Sequence, residues 1–266
     1  MAALRAAHRR SDGEPKILDD PVAEHLLDPA ALRRMLDDPS AVQTEARRHL
    51  RVNVALRSRY AEDRLRDATA QGTTQFVVLG AGYDTFAYRL PAWAHELRIF
   101  EVDMPQTQAD KRMRLARASI EPPPNLHFVP VDFETTTLAS ALAASTFDPG
   151  ARSFFSWLGV IMYLTLPAVE EVLRFIATCG PGTEVAFTFA TPGRAGSGIG
   201  ECAAAVGEPW RTYLTHDDMR ALLHRCGFSS VEFLSAAAAA AYAGERSDGL
   251  RAPAEPAIGC ARVASD

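Results

Sequence analysis

Two spacings of apolar residues alternate along this chain. Short unbroken apolar runs are separated by longer stretches in which apolar residues recur at every third or fourth position. The first run, Phe76-Val77-Val78-Leu79, contains no polar position. Both of its faces therefore need apolar neighbours, as in a parallel sheet covered by helices on both sides. It predicts a strand over 75–79. Similar runs predict strands at 97–103, 126–133, 153–160 and 184–189, and two last ones at about 229–234 and 257–264.

Helical spacing fills the intervals. Residues 40–70 contain neither Pro nor Gly and carry Leu50, Val54, Leu56 and Tyr60 loosely at helical intervals. A second helix is expected from Pro105 to Ala118, with Lys111, Arg112 and Arg114 on its exposed side. A third runs from Pro167 through Ile176. Thr215-His216-Asp217-Asp218 has the form of a capping box opening a helix that stops at Gly227. An alanine-rich helix separates the last two strands. The lead-in, residues 1–40, reads as helical or irregular: Val22, Leu26 and Leu27 suggest a short amphipathic helix, and Pro29 and Pro39 break the segment.

Strands alternating with helices define the fold class: α/β, doubly wound, with a mostly parallel seven-stranded Rossmann-like sheet and an N-terminal helical extension. One domain is expected over 1–266, with a helical cap at 1–70 and the core with its lid insertions at 71–266. Composition changes this picture little. A net charge of −5 without a dense basic run argues against a nucleic-acid partner. No apolar stretch reaches membrane-spanning length, and Met1-Ala2-Ala3-Leu4-Arg5 is not followed by a secretory apolar core. Cys179, Cys202, Cys226 and Cys260 are scattered, so neither a metal site nor a disulfide framework is expected, and a reducing cytoplasm suits them.

The chemistry centres on the end of the first strand, Gly80-Ala81-Gly82-Tyr83-Asp84-Thr85. Gly80 and Gly82 allow close approach of a ligand to the backbone, and residues 84–90 can open a helix whose amides face that ligand. A dinucleotide turn wants a small residue where Thr85 stands, and Asp84 would repel a pyrophosphate. A ligand with an ammonium and a sulfonium, such as S-adenosylmethionine, suits that carboxylate. The second strand ends in Glu101-Val102-Asp103, about twenty residues on, where acids bind ribose hydroxyls. Asp132 closes the third strand, placed either to meet an adenine amino group or to cap the following helix. Residues 192–200, with four glycines, read as a lid loop over the site.

Together these stretches resemble the leucine carboxyl methyltransferase-like branch of the class I S-adenosylmethionine-dependent methyltransferases. The resemblance covers nearly the whole chain. It rests on Ile17-Leu18-Asp19-Asp20-Pro21, Gly80-Ala81-Gly82-Tyr83-Asp84-Thr85, Phe100-Glu101-Val102-Asp103-Met104-Pro105 and Pro130-Val131-Asp132-Phe133. Gly159-Val160-Ile161-Met162-Tyr163-Leu164, Gly207-Glu208-Pro209 and Tyr242 to Leu250 complete it. It implies that Gly80 lies against the cofactor's methionine moiety, with Ala81, Gly82 and Asp84 beside it. Asp103, preceded by Glu101, would meet the ribose, and Asp132 with the Phe133 amide the adenine. An arginine of the long helix pairs with the cofactor carboxylate, Arg59 as first choice and Arg57 as second. Leu158 stands where relatives carry Glu, which suggests a more apolar acceptor or a weakened enzyme.

The activity implied is O-methylation of a small-molecule acceptor by direct in-line transfer, without metal, and the expected acceptor is a carboxylate. Tyr163 and Glu208 are the nearest candidate bases, and Arg211 could orient the acceptor. None of the seven histidines falls where the fold places an acceptor. Two other classes stay open: a cofactor-binding protein without catalysis, because of Leu158, and a nucleotide-dependent oxidoreductase, which Asp84 and Thr85 disfavour. The sequence sets no oligomeric state.

Overall fold

The computed structural model describes residues 1–38, 43–132, 136–194 and 209–265. Its strands are β1 (Gln75–Leu79), β2 (Arg98–Asp103), β3 (Leu126–Pro130), β4 (Ser153–Trp157), β5 (Glu184–Thr188), β6 (Ser230–Phe233) and β7 (Ile258–Arg262). They form one seven-stranded sheet in the order β3-β2-β1-β4-β5-β7-β6. Only β7 runs against its neighbours. This is the expected doubly wound sheet. The order reverses between β1 and β4, which leaves a crevice at their carboxyl ends.

β1 is buried throughout, and its alternation divides the interior in two. Val77 and Leu79 join the core beneath helices α5 (Leu138–Ala143), α6 (Leu166–Ala177) and α7 (His216–Cys226). Phe76 and Val78 join the core beneath helices α3 (Glu45–Ala70) and α8 (Ala236–Ala243). Helix α3 contributes Val52, Ala55, Leu56, Tyr60, Ala61 and Leu65 to that second core. The remaining helices are α1 (Ala2–Ser11), α2 (Pro29–Asp37) and α4 (Pro105–Arg117).

In its helices and turns the structure departs from the sequence reading at Pro29, residues 84–90 and Lys111, and decides between two open roles at Asp132. Pro29 does not break a helix but begins one: Asp28 caps α2 by accepting from the Ala30 and Ala31 amides, and proline fits the first helical position because no amide is needed there. Residues 84–90 form a single 3₁₀ turn, Phe86–Tyr88, rather than a helix. The Asp84 carboxylate takes the Phe86 amide and the Thr85 hydroxyl is drawn away to Asp20, so local side-chain bonds replace the helical ladder. Asp132 does not cap the following helix, because Thr137 accepts from the Ser140 amide there. Lys111 does not lie on an exposed face; it is 1% exposed and paired with Glu101.

Helix α1 is anchored by charge. His8 Nε2 accepts from the Ile17 amide, so Nδ1 carries the proton and donates to Asp12 at 2.7 Å. Arg51 of α3 then reaches Asp12 through Nε at 2.8 Å and Nη2 at 2.7 Å. The fork matches the carboxylate geometry and holds α1 against α3.

Candidate active site

The turn after β1 is tied down from three sides. The Gly80 and Ala81 amides both donate to the Val102 carbonyl, at 2.9 and 3.0 Å, which seats the turn on β2. Asp103, at the end of β2, accepts from the Gly82 amide at 2.5 Å and from its own neighbour Met104. Asp20 accepts from Thr85 Oγ1 and from Arg5 Nε, both at 2.7 Å. Burial pushes the Asp20 carboxyl up, but Arg5, Arg89 and the Thr85 hydroxyl outweigh it and hold it below the ordinary carboxylate range. Thr85, the residue that departs from a dinucleotide turn, is thus the anchor joining the Asp19-Asp20-Pro21 segment to the site.

The exit of β4 closes the turn from above. Gly80 has φ +65°, and a side chain there would run into Val160 Cγ2. Gly159 has φ +77°, and a Cβ on it would lie 2.6 Å from Nη1 and 2.8 Å from Nη2 of Arg57. The guanidinium therefore packs flat on the bare Cα of Gly159. A Gly159→Ala variant should displace Arg57 and strain the turn. Its expected signature is a tenfold or greater loss of S-adenosylhomocysteine affinity by isothermal titration, with about 1–2 kcal/mol of lost stability from the left-handed backbone. Retained affinity would place Arg57 outside the binding geometry.

Between these turns lies a cavity of about 200 Å³, lined by Gly80, Ala81, Gly82, Asp84, Leu158 and Arg57, with Arg5, Ser58 and Ser156 beside them. A second cavity, of about 100 Å³, adjoins it across Met1, Arg57 and Gly159, which line both. Burial and the positive charge of Arg5 bring the Arg57 guanidinium down to about 10, while Tyr163 and Asp84 pull it back up. No ion pair or hydrogen bond to another described residue engages Arg57. It is half-buried where the two cavities meet.

The site thus gathers Gly80, Ala81, Gly82, Asp84 and Leu158 around one cavity, with Asp103 bonded to its floor at Gly82. Asp132 follows β3 beside that end, since the Val131 amide donates to the Asp103 carbonyl at 2.9 Å. Two expectations fail. Arg59 points away: its side chain is 43% exposed and its Nε donates to Asp63 at 3.0 Å. Two residues advance a helix by about 200°, so Arg57 and Arg59 lie on nearly opposite faces of α3. Glu101 also stays out of the cavity, buried beneath the strand in its pair with Lys111. Phe133 and Glu208 lie outside the described residues, as does most of the 192–200 segment expected to form a lid. Tyr163 lines the smaller cavity, whereas Arg211 is exposed and does not.

Sequence reasoning missed Arg5, Ser58, Ser156, Asn53 and Trp210, which the fold brings here from four separate segments.

The family model for leucine carboxyl methyltransferase matches residues 1–177. The chain belongs to that family. This methyltransferase is 31% identical over 264 residues to YktD of Bacillus subtilis (strain 168), named among the S-adenosyl-L-methionine-dependent methyltransferases; the match spans 88% of this chain and 86% of YktD. A Mycobacterium marinum (strain ATCC BAA-535 / M) relative with the same kind of name is 34% identical over 230 residues, covering 84% of this chain and 75% of its own length. Among solved structures, a DUF574 family protein from Streptomyces avermitilis MA-4680 superposes with a TM-score of 0.60, at 18% identity, over 98% of this chain and 96% of that one. The CurJ carbon methyltransferase gives 0.54 at 14% identity, over 99% of this chain and 67% of its own. At such identities these two show the shared fold. Membership makes the chain an S-adenosylmethionine-dependent methyltransferase.

The residues present fit that cofactor. Its amino-acid end needs a cation for the carboxylate and an acid or carbonyls for the ammonium, and Arg57 and Asp84 line the same cavity over two side-chain-free glycines. Asp103 and Asp132, at the ends of adjacent strands, are hydrogen-bond acceptors of the kind that ribose hydroxyls and an adenine amino group require.

Proposed function

We propose that this methyltransferase esterifies a carboxylate on a small-molecule acceptor held in the smaller cavity. The observation that carries the reading is the charge of that cavity. Its lining holds one charged side chain, Arg57, and four uncharged polar side chains, Asn53, Tyr163, Thr188 and Trp210, among apolar walls that include Met1, whose α-amine burial and the Arg5 and Arg57 charges push down to about 6. Neither an acidic side chain nor a histidine is among the described residues that line it. A neutral alcohol must lose a proton as it attacks and wants a base tuned near the working pH. An ionised carboxylate wants a positive field and a dry wall, which this cavity supplies.

S-adenosylmethionine, when bound, supplies the electrophilic methyl group that the acceptor oxygen takes by direct displacement. The protein's own part is placement and desolvation. Arg57, on the wall shared by the two cavities, binds the cofactor carboxylate on one side and lowers the energy of an anionic acceptor on the other. Leu50, Val54, Met162 and Phe189 keep water from the acceptor. Leu158, an apolar side chain in the wall of the adjoining cofactor cavity, adds no negative charge there.

A carboxylate with an ordinary pKa is ionised above about pH 5. With a true acceptor, kcat should therefore stay nearly flat between about pH 6 and 8 and survive Tyr163→Phe. A steep rise through that window, abolished by Tyr163→Phe, would instead establish base catalysis on a hydroxyl. No nucleic acid or membrane belongs to the proposal, in keeping with the net charge of −5. Among the described residues no helix is long and apolar enough to cross a membrane. A reducing, cytoplasmic setting is part of the same proposal, supported by the free, buried thiols of Cys179, Cys226 and Cys260.

A further inference from the structure

Helix α3 turns a second face toward the smaller cavity. Leu50, Asn53, Val54 and Arg57 follow the i, i+3, i+4, i+7 pattern of one helical stripe, and all four line it. Three of these have plain roles: two apolar walls and the cation. Asn53 does not. Its amide makes no hydrogen bond to any described residue, although it sits on a cavity wall between two aliphatic side chains. Across from the helix, Trp210 lines the same cavity, and its indole N–H is buried without a partner. A buried donor left unmade costs about 1–3 kcal/mol, so the Trp210 indole marks a ligand contact rather than core packing, and the half-buried Asn53 amide faces the same cavity with no partner of its own among the described residues.

Geometry limits what they can meet. Asn53 lies four residues, one helical turn, before Arg57, which separates the two backbones by about 6 Å along the helix. The cavity, about 100 Å³ and open on one side, takes the oxygen-bearing part of a compact acceptor. Trp210 can only donate, while the Asn53 amide can donate or accept. The shared partner that satisfies both is an oxygen.

We propose that the acceptor is a compact carboxylic acid bearing a second oxygen function about one helical turn from the carboxylate, and that Asn53 and Trp210 select it. This rests on the carboxylate reading above. A pocket built to hydrogen-bond a substrate oxygen rejects the analogue lacking it, because its own polar groups are then left unpaired. Asn53 and Trp210 are thus specificity residues, distinct from the cofactor contacts.

The test uses matched pairs: 4-hydroxybenzoate against benzoate, and 4-oxopentanoate against pentanoate. Each is incubated with labelled S-adenosylmethionine and the intact protein. Methyl esters are separated from aryl ethers by their lability to base. Binding of the same acids to protein saturated with S-adenosylhomocysteine is measured by isothermal titration. The oxygenated member of at least one pair should be favoured tenfold or more, in kcat/KM for the ester and in affinity. Asn53→Leu should bring that ratio to within about twofold, and Trp210→Phe should reduce it by a smaller factor. Unchanged S-adenosylhomocysteine affinity shows that the variants fold. Ester formation without preference, or a preference that survives both substitutions, overturns this proposal alone. If no acid yields an ester while S-adenosylhomocysteine still binds, or if only the aryl ether forms, the carboxylate reading falls and this proposal with it.

Discussion

Arg57→Ala should weaken S-adenosylhomocysteine binding by about 10- to 100-fold, the worth of a charge-assisted hydrogen bond to a buried ligand at roughly 1.5–3 kcal/mol. Arg59→Ala should leave the affinity within twofold. The guanidinium of Arg57 is pressed on Gly159, lines the cofactor cavity, and makes no ion pair with another described residue. Burial and the neighbouring Arg5 charge already bring it down to about 10, so the ligand-free protein bears a cation there that Tyr163 and Asp84 offset only in part. A bound carboxylate relieves that cost. Two consequences separate this role from a structural one. The ligand-free Arg57→Ala protein should melt no earlier than the wild type, because an unfavourable charge has been removed. Its thermal shift on adding S-adenosylhomocysteine should nevertheless largely vanish. Arg57→Lys should behave like the alanine variant, since the planar fork is what matches a carboxylate. Full affinity in Arg57→Ala together with a loss in Arg59→Ala would return the assignment to the other face of the helix.

The second large effect concerns stability. Lys111 and Glu101 are each 1% exposed and 2.6 Å apart, and Glu101 Oε1 has no partner. Removing one member of such a pair strands a buried charge, at a cost of about 3–5 kcal/mol. That is a large part of the roughly 5–15 kcal/mol by which domains are stable. Lys111→Met should therefore unfold at much lower urea. Replacing both, as Glu101→Leu with Lys111→Met, should recover most of the loss. The pH dependence supplies the sign. Burial pushes the Glu101 carboxyl up to about 7 even against the pull of Lys111, whose charge and hydrogen bond favour ionisation. A raised folded-state pKa means the folded protein holds this proton more tightly, so the contribution is fully present below the unfolded value, about 4.5, and is lost as pH rises through about 7. Without Lys111 the carboxyl should move higher still, so the destabilisation should be larger at pH 8 than at pH 5. A Lys111→Met variant within about 1 kcal/mol of wild type at pH 8 would show that the pair contributes little.

The same pair shows why an acid cannot be placed from strand alternation alone. Glu101 and Asp103 lie on one side of β2, and the reading gave both to the ribose. Asp103 is at the strand's end, where the turn's Gly82 amide reaches it; Glu101 is one step deeper, where α4 covers the sheet and brings Lys111 over it. The covering helix, not the strand, sorts the two carboxylates. Thr85 makes a parallel case. It was read for what it excludes, whereas its hydroxyl is bonded to an aspartate sixty-five positions earlier.

The amino-acid sequence by itself determined the alternation of strands and helices, the Gly-x-Gly turn on a doubly buried strand, and the acids that end β2 and β3. These are local properties: a residue's neighbours within a few positions set its period, its turn and its place at a strand's end. Only the tertiary structure decided which arginine of α3 faces the turn, which acid is sealed beneath α4, and which side chains line the second cavity. Arg57 and Arg59 are indistinguishable in composition and separated by about half a helical turn, and their facing depends on how α3 rotates onto Val52, Ala55 and Leu56. Asn53, Tyr163, Thr188 and Trp210 come from four distant stretches and share no spacing. Nothing in their order along the chain relates them. They meet because the sheet reverses its strand order between β1 and β4, and the apolar core on either side fixes that meeting place.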